Sequence, residues 1–294
     1  MEDAVIVEAI RSPIGRARKG HLVNERADEV GGFIVDALMK RVPALPRSDV
    51  EDLMVGCGVP EGEQGYNIAR VIALISGLGV NVPGTTVSRY CASSLQTIRM
   101  AAHAIWAGEG DVFVAAGVEF VSRYPKLDDH RNPRFLPEDA PQVYISMGLT
   151  AENVARQYGV SREDQDAFAA RSQDRTRQSR ASGFWTREIV PVPLADGTVM
   201  TEDDSPRPGT TIQRARITGG HRTSFRNAGF NCDSPSKGVS ARGFLSPNPL
   251  YRVSQHRIDM VSFERAGRDL FVHCAIPPWS PIFSTKASVR GGLR

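Results

Sequence analysis

No stretch of this 294-residue chain approaches the run of about eighteen apolar residues that a membrane-spanning helix needs. The first twenty residues also lack the plan of a signal peptide, because Glu2, Asp3 and Glu8 stand where positive charge and then an apolar run are required. Both absences predict a cytoplasmic protein without a membrane span. Cysteine is scarce: Cys57, Cys91, Cys232 and Cys274 have no regular spacing, which excludes a disulfide framework and leaves each to be judged as a single reduced thiol. Apart from the adjacent pair His273 and Cys274, the group Cys232, His256, His273 and Cys274 lacks the spacings of about two to five residues that mark zinc sites, so no metal is expected. Aromatic residues are only 7% of the chain and form no stacking motif, so a basic surface here has no nucleic-acid platform beside it.

The hydrophobic content of 41% suits a globular protein, and the length suffices for one large domain or two medium ones. The net charge of +3 conceals an asymmetry. Residues 1–213 hold 23 Lys and Arg against 29 Asp and Glu, a balance of −6, whereas residues 214–294 hold 13 against 4, a balance of +9. Periodicity fades at the same place. Beyond residue 213 three readings stay open: a disordered basic tail, an unusual small domain, or the translation of a shifted reading frame. The expected division is therefore a folded unit over 1–213 and a divergent, irregular tail over 214–294.

Short β-branched runs alternate with helical patterns over the first 120 residues, which predicts βαβ units and a parallel sheet with helices on both faces. Strands are expected at 4–9, 52–57, 85–88 and 111–116, and helices at 28–42, 68–75 and 92–107. In the last helix Leu95, Ile98, Ala102, Ile105 and Trp106 share a stripe expected to be buried, and Gly108 is a suitable stop. Residues 120–208 are rich in Pro, Asp and Arg and carry two helical patterns, one over 149–158 and one opened by Ser161-x-x-Asp164, a variant capping box. Such a long excursion reads as an insertion that covers a ligand.

Cys91 falls between the third strand and the helix that follows. A sulfur there faces free backbone N–H groups and the positive end of a helix dipole, an environment that favours a thiolate and suits a covalent nucleophile. The plainer alternative is a small buried residue closing a turn. His103 reads as a packing or surface residue of the same helix, and His21 as solvent-facing. Arg16, Arg18 and Lys19 could meet phosphates or simply form a solvated basic loop.

The words around Cys91 add to this reading. Ser88-Arg89-Tyr90-Cys91-Ala92-Ser93-Ser94-Leu95-Gln96-Thr97 resembles the reactive-cysteine segment of thiolases. Glu8-Ala9-Ile10-Arg11-Ser12-Pro13-Ile14-Gly15-Arg16 resembles that family's opening strand and turn, and Gly62-Glu63-Gln64-Gly65-Tyr66-Asn67-Ile68-Ala69-Arg70 its second helix entry. Ala115-Ala116-Gly117-Val118-Glu119, Met147-Gly148-Leu149-Thr150-Ala151-Glu152 and Pro206-Arg207-Pro208-Gly209-Thr210 are similar to its later segments, in the same order. The likeness covers residues 4–212. It implies an α/β, thiolase-like layered sheet with a loop-domain insertion, and an acyltransferase in which Cys91 attacks a 3-ketoacyl-CoA, acetyl-CoA leaves, and the acyl group passes to free coenzyme A. Coenzyme A thioesters are then substrates, no cofactor is implied, and a homodimer or homotetramer would follow. Met147 would line the acyl pocket, with a core position as its alternative.

Departures from the family pattern matter as much. Ser94 stands where many thiolases have glycine, and Ser146 where biosynthetic members often have histidine. The family's downstream Asn-Glu-Ala-Phe, Gly-His-Pro and Cys-x-Gly segments do not occur here, and His221, His256, His273, Cys232 and Cys274 sit in none of the turns that carry the family's base and second thiol. Two other readings follow: a catalytically incomplete thiolase remnant that only binds or oligomerises, and a ketoacyl synthase-like condensing enzyme, from which the Ser88-Arg89-Tyr90 lead-in points away.

Overall fold

The computed structural model describes residues 3–124, 131–207 and 209–212, and the backbone of one further strand, Leu270–Cys274. Along the chain run β1 (Glu8–Ile10), α1 (Ala27–Arg41), β2 (Asp52–Gly56), α2 (Ile68–Ile75), β3 (Gly84–Val87), α3 (Ser93–Ala107) and β4 (Val112–Gly117), the expected alternation with boundaries moved by a few residues. The insertion follows with α4 (Met147–Tyr158), α5 (Arg162–Ala181), α6 (Phe184–Glu188) and a two-stranded antiparallel ribbon, β5 (Val192–Pro193) with β6 (Val199–Met200). Strand β7 (Leu270–Cys274) completes a five-stranded sheet in the order β1-β7-β4-β2-β3, parallel at every pairing.

Alternation along the strands divides the core in two. Leu53, Val55, Val112, Val114 and Ala116 turn to α1 and α2, whereas Met54, Phe113 and Ala115 turn to α3, as the two-residue period of a strand dictates. Helices therefore cover both faces, and the inner strands β2 and β4 read as nearly continuous apolar runs. The first strand is shorter than the expected 4–9: its ladder to β7 begins at Glu8, opposite Val272, and Ile6 and Val7 before it are exposed.

The stripe expected for α3 is corrected in part by the structure: Ile105 is buried and Ile98 packs partly buried against the core as expected, but Leu95 and Trp106 are not covered. Ser93, Thr97, Ala101, Ala104 and Ile105 are buried, while Leu95 and Trp106 are 46% and 47% exposed. The physical reason is close approach. A Cβ on Gly56 would lie 2.4 Å from the backbone of Ser93 and Ser94, so β2 and the start of α3 meet at backbone contact, and the buried positions of the first turns, Ser93, Thr97 and Ala101, carry small or hydroxyl side chains. Thr97 satisfies its own hydroxyl there by donating to the carbonyls of Ser94 (2.8 Å) and Ala116 (3.2 Å).

The insertion is fastened to the sheet through Arg11, only 4% exposed directly after β1. Its guanidinium donates to Glu188 Oε1 (2.6 Å) and, with both terminal nitrogens, to the carboxylate of Asp203 (2.7 and 3.0 Å), and it lies 4.7 Å from the centre of the Trp185 ring. Burial lowers its basicity, and the hydrogen bonds to Asp203 and Glu188 more than offset that, so the ion stays charged. Ser161 and Asp164 form the expected reciprocal cap of α5.

Candidate active site

Strand β3 ends at Val87, and the chain turns through a single 3-10 turn, Tyr90–Ala92, before α3 begins at Ser93. The sequence placed the helix start at residue 92, directly after the cysteine; the intervening turn sets Cys91 two residues outside the α-helix. Cys91 is exposed. Tyr90 is left-handed, with φ of 47°, a conformation that non-glycine residues seldom adopt. Several bonds hold it there. Arg89 N donates to Ser93 Oγ (2.8 Å), Ser93 Oγ donates to the Tyr90 carbonyl (2.6 Å), and Ala92 N donates to the Arg89 carbonyl (3.1 Å). Ser94 fits because Gly117 of β4 faces it: a Cβ on Gly117 would stand 2.3 Å from Ser94 Oγ.

Below the turn lies a polar network that sequence reasoning did not single out. Glu119, two residues past β4, accepts from Gly58 N (2.5 Å) through Oε2, and from Gln64 Nε2 (3.1 Å) and Tyr124 OH (2.8 Å) through Oε1. Gln64, 2% exposed, also donates to the Val59 carbonyl (2.9 Å) and accepts from Phe120 N (2.6 Å). Burial first, and then the Glu119 carboxylate, raise the pKa of Tyr124, so the phenol remains a donor. Cys57, buried just beyond β2, has its thiol pushed up to about 12 by burial and then by the Glu119 charge. Cys57 and Cys91 therefore differ in kind: one is a core thiol that burial keeps protonated, the other is exposed in a turn. A signal for the network existed in the sequence, since Gln64 and Glu119 both belong to strings that carry the family likeness.

The remaining sequence candidates are scattered. Met147 is half-exposed at the first position of α4, whose cap is Ser146, accepting from Leu149 N at 3.4 Å. His103 is exposed ten residues along α3 from its first residue, Ser93, about 15 Å by helical rise, and its ring centre lies 5.5 Å from that of Trp106. His21 is exposed and its Nδ1 lies 2.6 Å from Asp204 Oδ1. The Arg16 amide is also bound to Asp204, and the Arg18 amide to Ser122 Oγ. His273 and Cys274 lie on β7, three strands from β3, a backbone offset of about 14 Å at ordinary strand spacing. His221, His256 and Cys232 lie outside the described residues. Among the described residues no cluster of three or more His, Cys, Asp or Glu could hold a metal ion, and no helix is long and apolar enough to cross a membrane.

The family model for the thiolase N-terminal domain matches residues 4–230. A 3-ketoacyl-CoA thiolase of Bacillus subtilis is 43% identical over 224 residues, which cover 72% of this chain and 57% of that protein. A beta-ketoadipyl-CoA thiolase of Acinetobacter baylyi is 42% identical over 234 residues, 72% of this chain and 58% of that one. The crystal structure of the Bacillus anthracis acetyl-CoA acetyltransferase superposes with a TM-score of 0.65 at 32% identity, over 74% of this chain and 58% of that one. The chain thus spans somewhat more than half the length of the relatives it matches.

Proposed function

From the premise that the chain belongs to the thiolase family, through that family's N-terminal domain, we propose that it is an acyl-CoA acyltransferase in which Cys91 carries the acyl group. The observation that supports this most is the exposed sulfur of Cys91 in a held turn between the carboxyl end of β3 and the amino end of α3. Ligands of parallel α/β sheets gather at that edge. In the thiolytic direction the Cys91 thiolate adds to the C3 carbonyl of a 3-ketoacyl-CoA. The C2–C3 bond then breaks, its electron pair leaves on C2, and a proton delivered there releases acetyl-CoA. The thiolate of free coenzyme A next attacks the acyl-Cys91 thioester, and the Cys91 sulfur leaves as thiolate. Met147, adaptable and half-exposed, is proposed to contact the acyl chain. A homodimer or homotetramer in the cytoplasm belongs to the same proposal.

A second reading is supported by one observation. Delivery of the proton to C2 needs an acid and activation of the thiols a base, each within hydrogen-bond reach, and the described residues bring neither His21 nor His103 to the Cys91 turn. A half that accepts an acyl group without turning over accounts for that arrangement. One experiment separates the two. The purified chain is incubated with acetyl-CoA, the acetyl group is located by peptide mass, and thiolysis of acetoacetyl-CoA is followed in parallel. A weak mark confined to Cys91 and absent in Cys91→Ser, without thiolysis, is the result of the second reading; a stoichiometric mark with thiolysis is that of the first. No acetyl group on Cys91 at any concentration overturns both.

A further inference from the structure

Gly58 is the point at which the buried network touches the nucleophile turn. Its amide donates to Glu119 Oε2, its carbonyl accepts from Ser88 Oγ (3.0 Å), and a Cβ placed on it would stand 2.5 Å from Glu119 Oε2 and 3.4 Å from both the Cα and the carbonyl oxygen of Tyr90. The residue is therefore sandwiched between a carboxylate on one side and the backbone that precedes Cys91 on the other. Tyr90 is the left-handed residue of that backbone, and a sparsely populated conformation persists only where its surroundings impose it. Glu119 itself is held from two further sides, by Gln64 and Tyr124, and Gln64 anchors the segment after β4 through Phe120. A chain of contacts thus runs from the end of β4, through one carboxylate, to the turn that presents the sulfur.

We propose that Glu119 is a positioning residue for Cys91: its carboxylate fixes Gly58 as the shelf against which Tyr90 holds its left-handed turn, and so sets the direction in which the sulfur is presented. The inference rests on the reading of Cys91 as the acyl carrier. A carboxylate suits the place because three donors converge on it, whereas a carboxamide would turn an NH2 toward one of them. Glu119→Gln is therefore a nearly isosteric disruption. Gly58→Ala is its counterpart from the other side, since the added methyl meets Glu119 and Tyr90 together.

Two measurements on the full chain test this. Amide exchange followed by mass spectrometry reads the turn without any substrate: in both variants, exchange at Gly58 and across residues 90–93 rises about tenfold or more, while the body of α3 and strand β2 keep their protection. Acetyl transfer from acetyl-CoA to Cys91, compared with alkylation of Cys91 by iodoacetamide, reads presentation. Transfer needs a defined approach and falls about tenfold or more, whereas alkylation, which accepts many approaches, stays within about twofold, and Cys57 stays unlabelled. Unchanged exchange over residues 90–93 in Glu119→Gln overturns the inference, whether or not acyl-Cys91 ever forms. Labelling of Cys57, or loss of folding in both variants, also overturns it, because Glu119 is then only a structural carboxylate. Loosened exchange with no acetyl transfer in the unaltered chain leaves the positioning contact standing and sinks the acyl-carrier reading instead.

Discussion

Single residues in this protein carry two different burdens, one chemical and one mechanical. Cys91 is distinguished from Cys57 by place alone, since the same thiol is exposed in a turn at one position and held protonated in the core at the other. Its place at a strand-to-helix junction was legible in the sequence, where a buried turn residue was the plainer alternative and the Ser88–Thr97 string, by its resemblance to thiolases, favoured the nucleophile. Arg11 was legible only as part of a family-like string, and its partners Glu188 and Asp203 were not legible at all, being 177 and 192 residues away. Sequence order carries no record of such a distance. The mechanical burden is large. Arg11→Leu leaves two carboxylates, both less than a third exposed, facing a neutral side chain, and is expected to destabilise the fold by about 3–5 kcal/mol. A urea unfolding series checks this, and a change under about 1 kcal/mol would show the network to be dispensable.

Elements show where pattern reading succeeds and where it misleads. Helix α1 buries Val30, Ile34 and Leu38 as its period requires, and α3 stops at a left-handed Gly108 as expected. The face of α3 was read in part: Ile98 and Ile105 lie on the covered side, whereas Leu95 and Trp106 do not, because the backbone contact at Gly56 turns small and hydroxyl side chains of the first turns to the sheet. The consequence can be measured. Ala101→Leu, at a fully buried position, is expected to cost about 1–3 kcal/mol by overpacking, while Leu95→Ala on the exposed face changes stability by no more than about 0.5 kcal/mol. Thermal unfolding of the two variants decides, and the reverse order would restore the stripe read from sequence. At the start of β2, Asp52 Oδ1 is buried without a hydrogen-bond partner among the described residues, and burial raises the pKa of this carboxyl despite the bond from Thr85 to the other oxygen. A raised carboxyl favours the fold most when protonated, below its unfolded value of about 3.9, and that contribution is lost as pH rises through the folded value. Asp52→Asn should therefore raise the melting temperature at pH 7, with the gain vanishing near pH 3. A constant difference at both pH values would assign the effect to shape instead of charge.

For the molecule as a whole, the sheet order places one strand of the far end of the chain between the first strand and the fourth. Each of the pairings Glu8–Val272, Ala9–His273 and Ile10–Cys274 joins β1 to the sheet through β7. The sequence showed no period beyond residue 213, because five residues with three apolar side chains are too short to reveal one. We propose that residues 1–213 form a unit that leans on this strand for cooperativity. A chain cut after residue 213 is expected to melt at a lower temperature and over a broader range than the full chain, since β1 loses the partner that fills the place between it and β4. Identical circular-dichroism melts for the two lengths would show that the tail contributes nothing to the sheet.

Local pattern by itself determined the alternation of strands and helices, the α/β class, the place of Cys91 at a strand-to-helix junction, the Ser161–Asp164 cap of α5 and the Gly108 stop of α3, because these depend on neighbours within a few turns. Tertiary structure decided the rest: which face of α3 is buried, the strand that fills the sheet from the far end, the clamp of Arg11 on Glu188 and Asp203, and the convergence of Gly58, Gln64 and Tyr124 on Glu119. Those contacts join residues far apart in the chain, and burial, backbone proximity and charge pairing exist only once the sheet has brought them together.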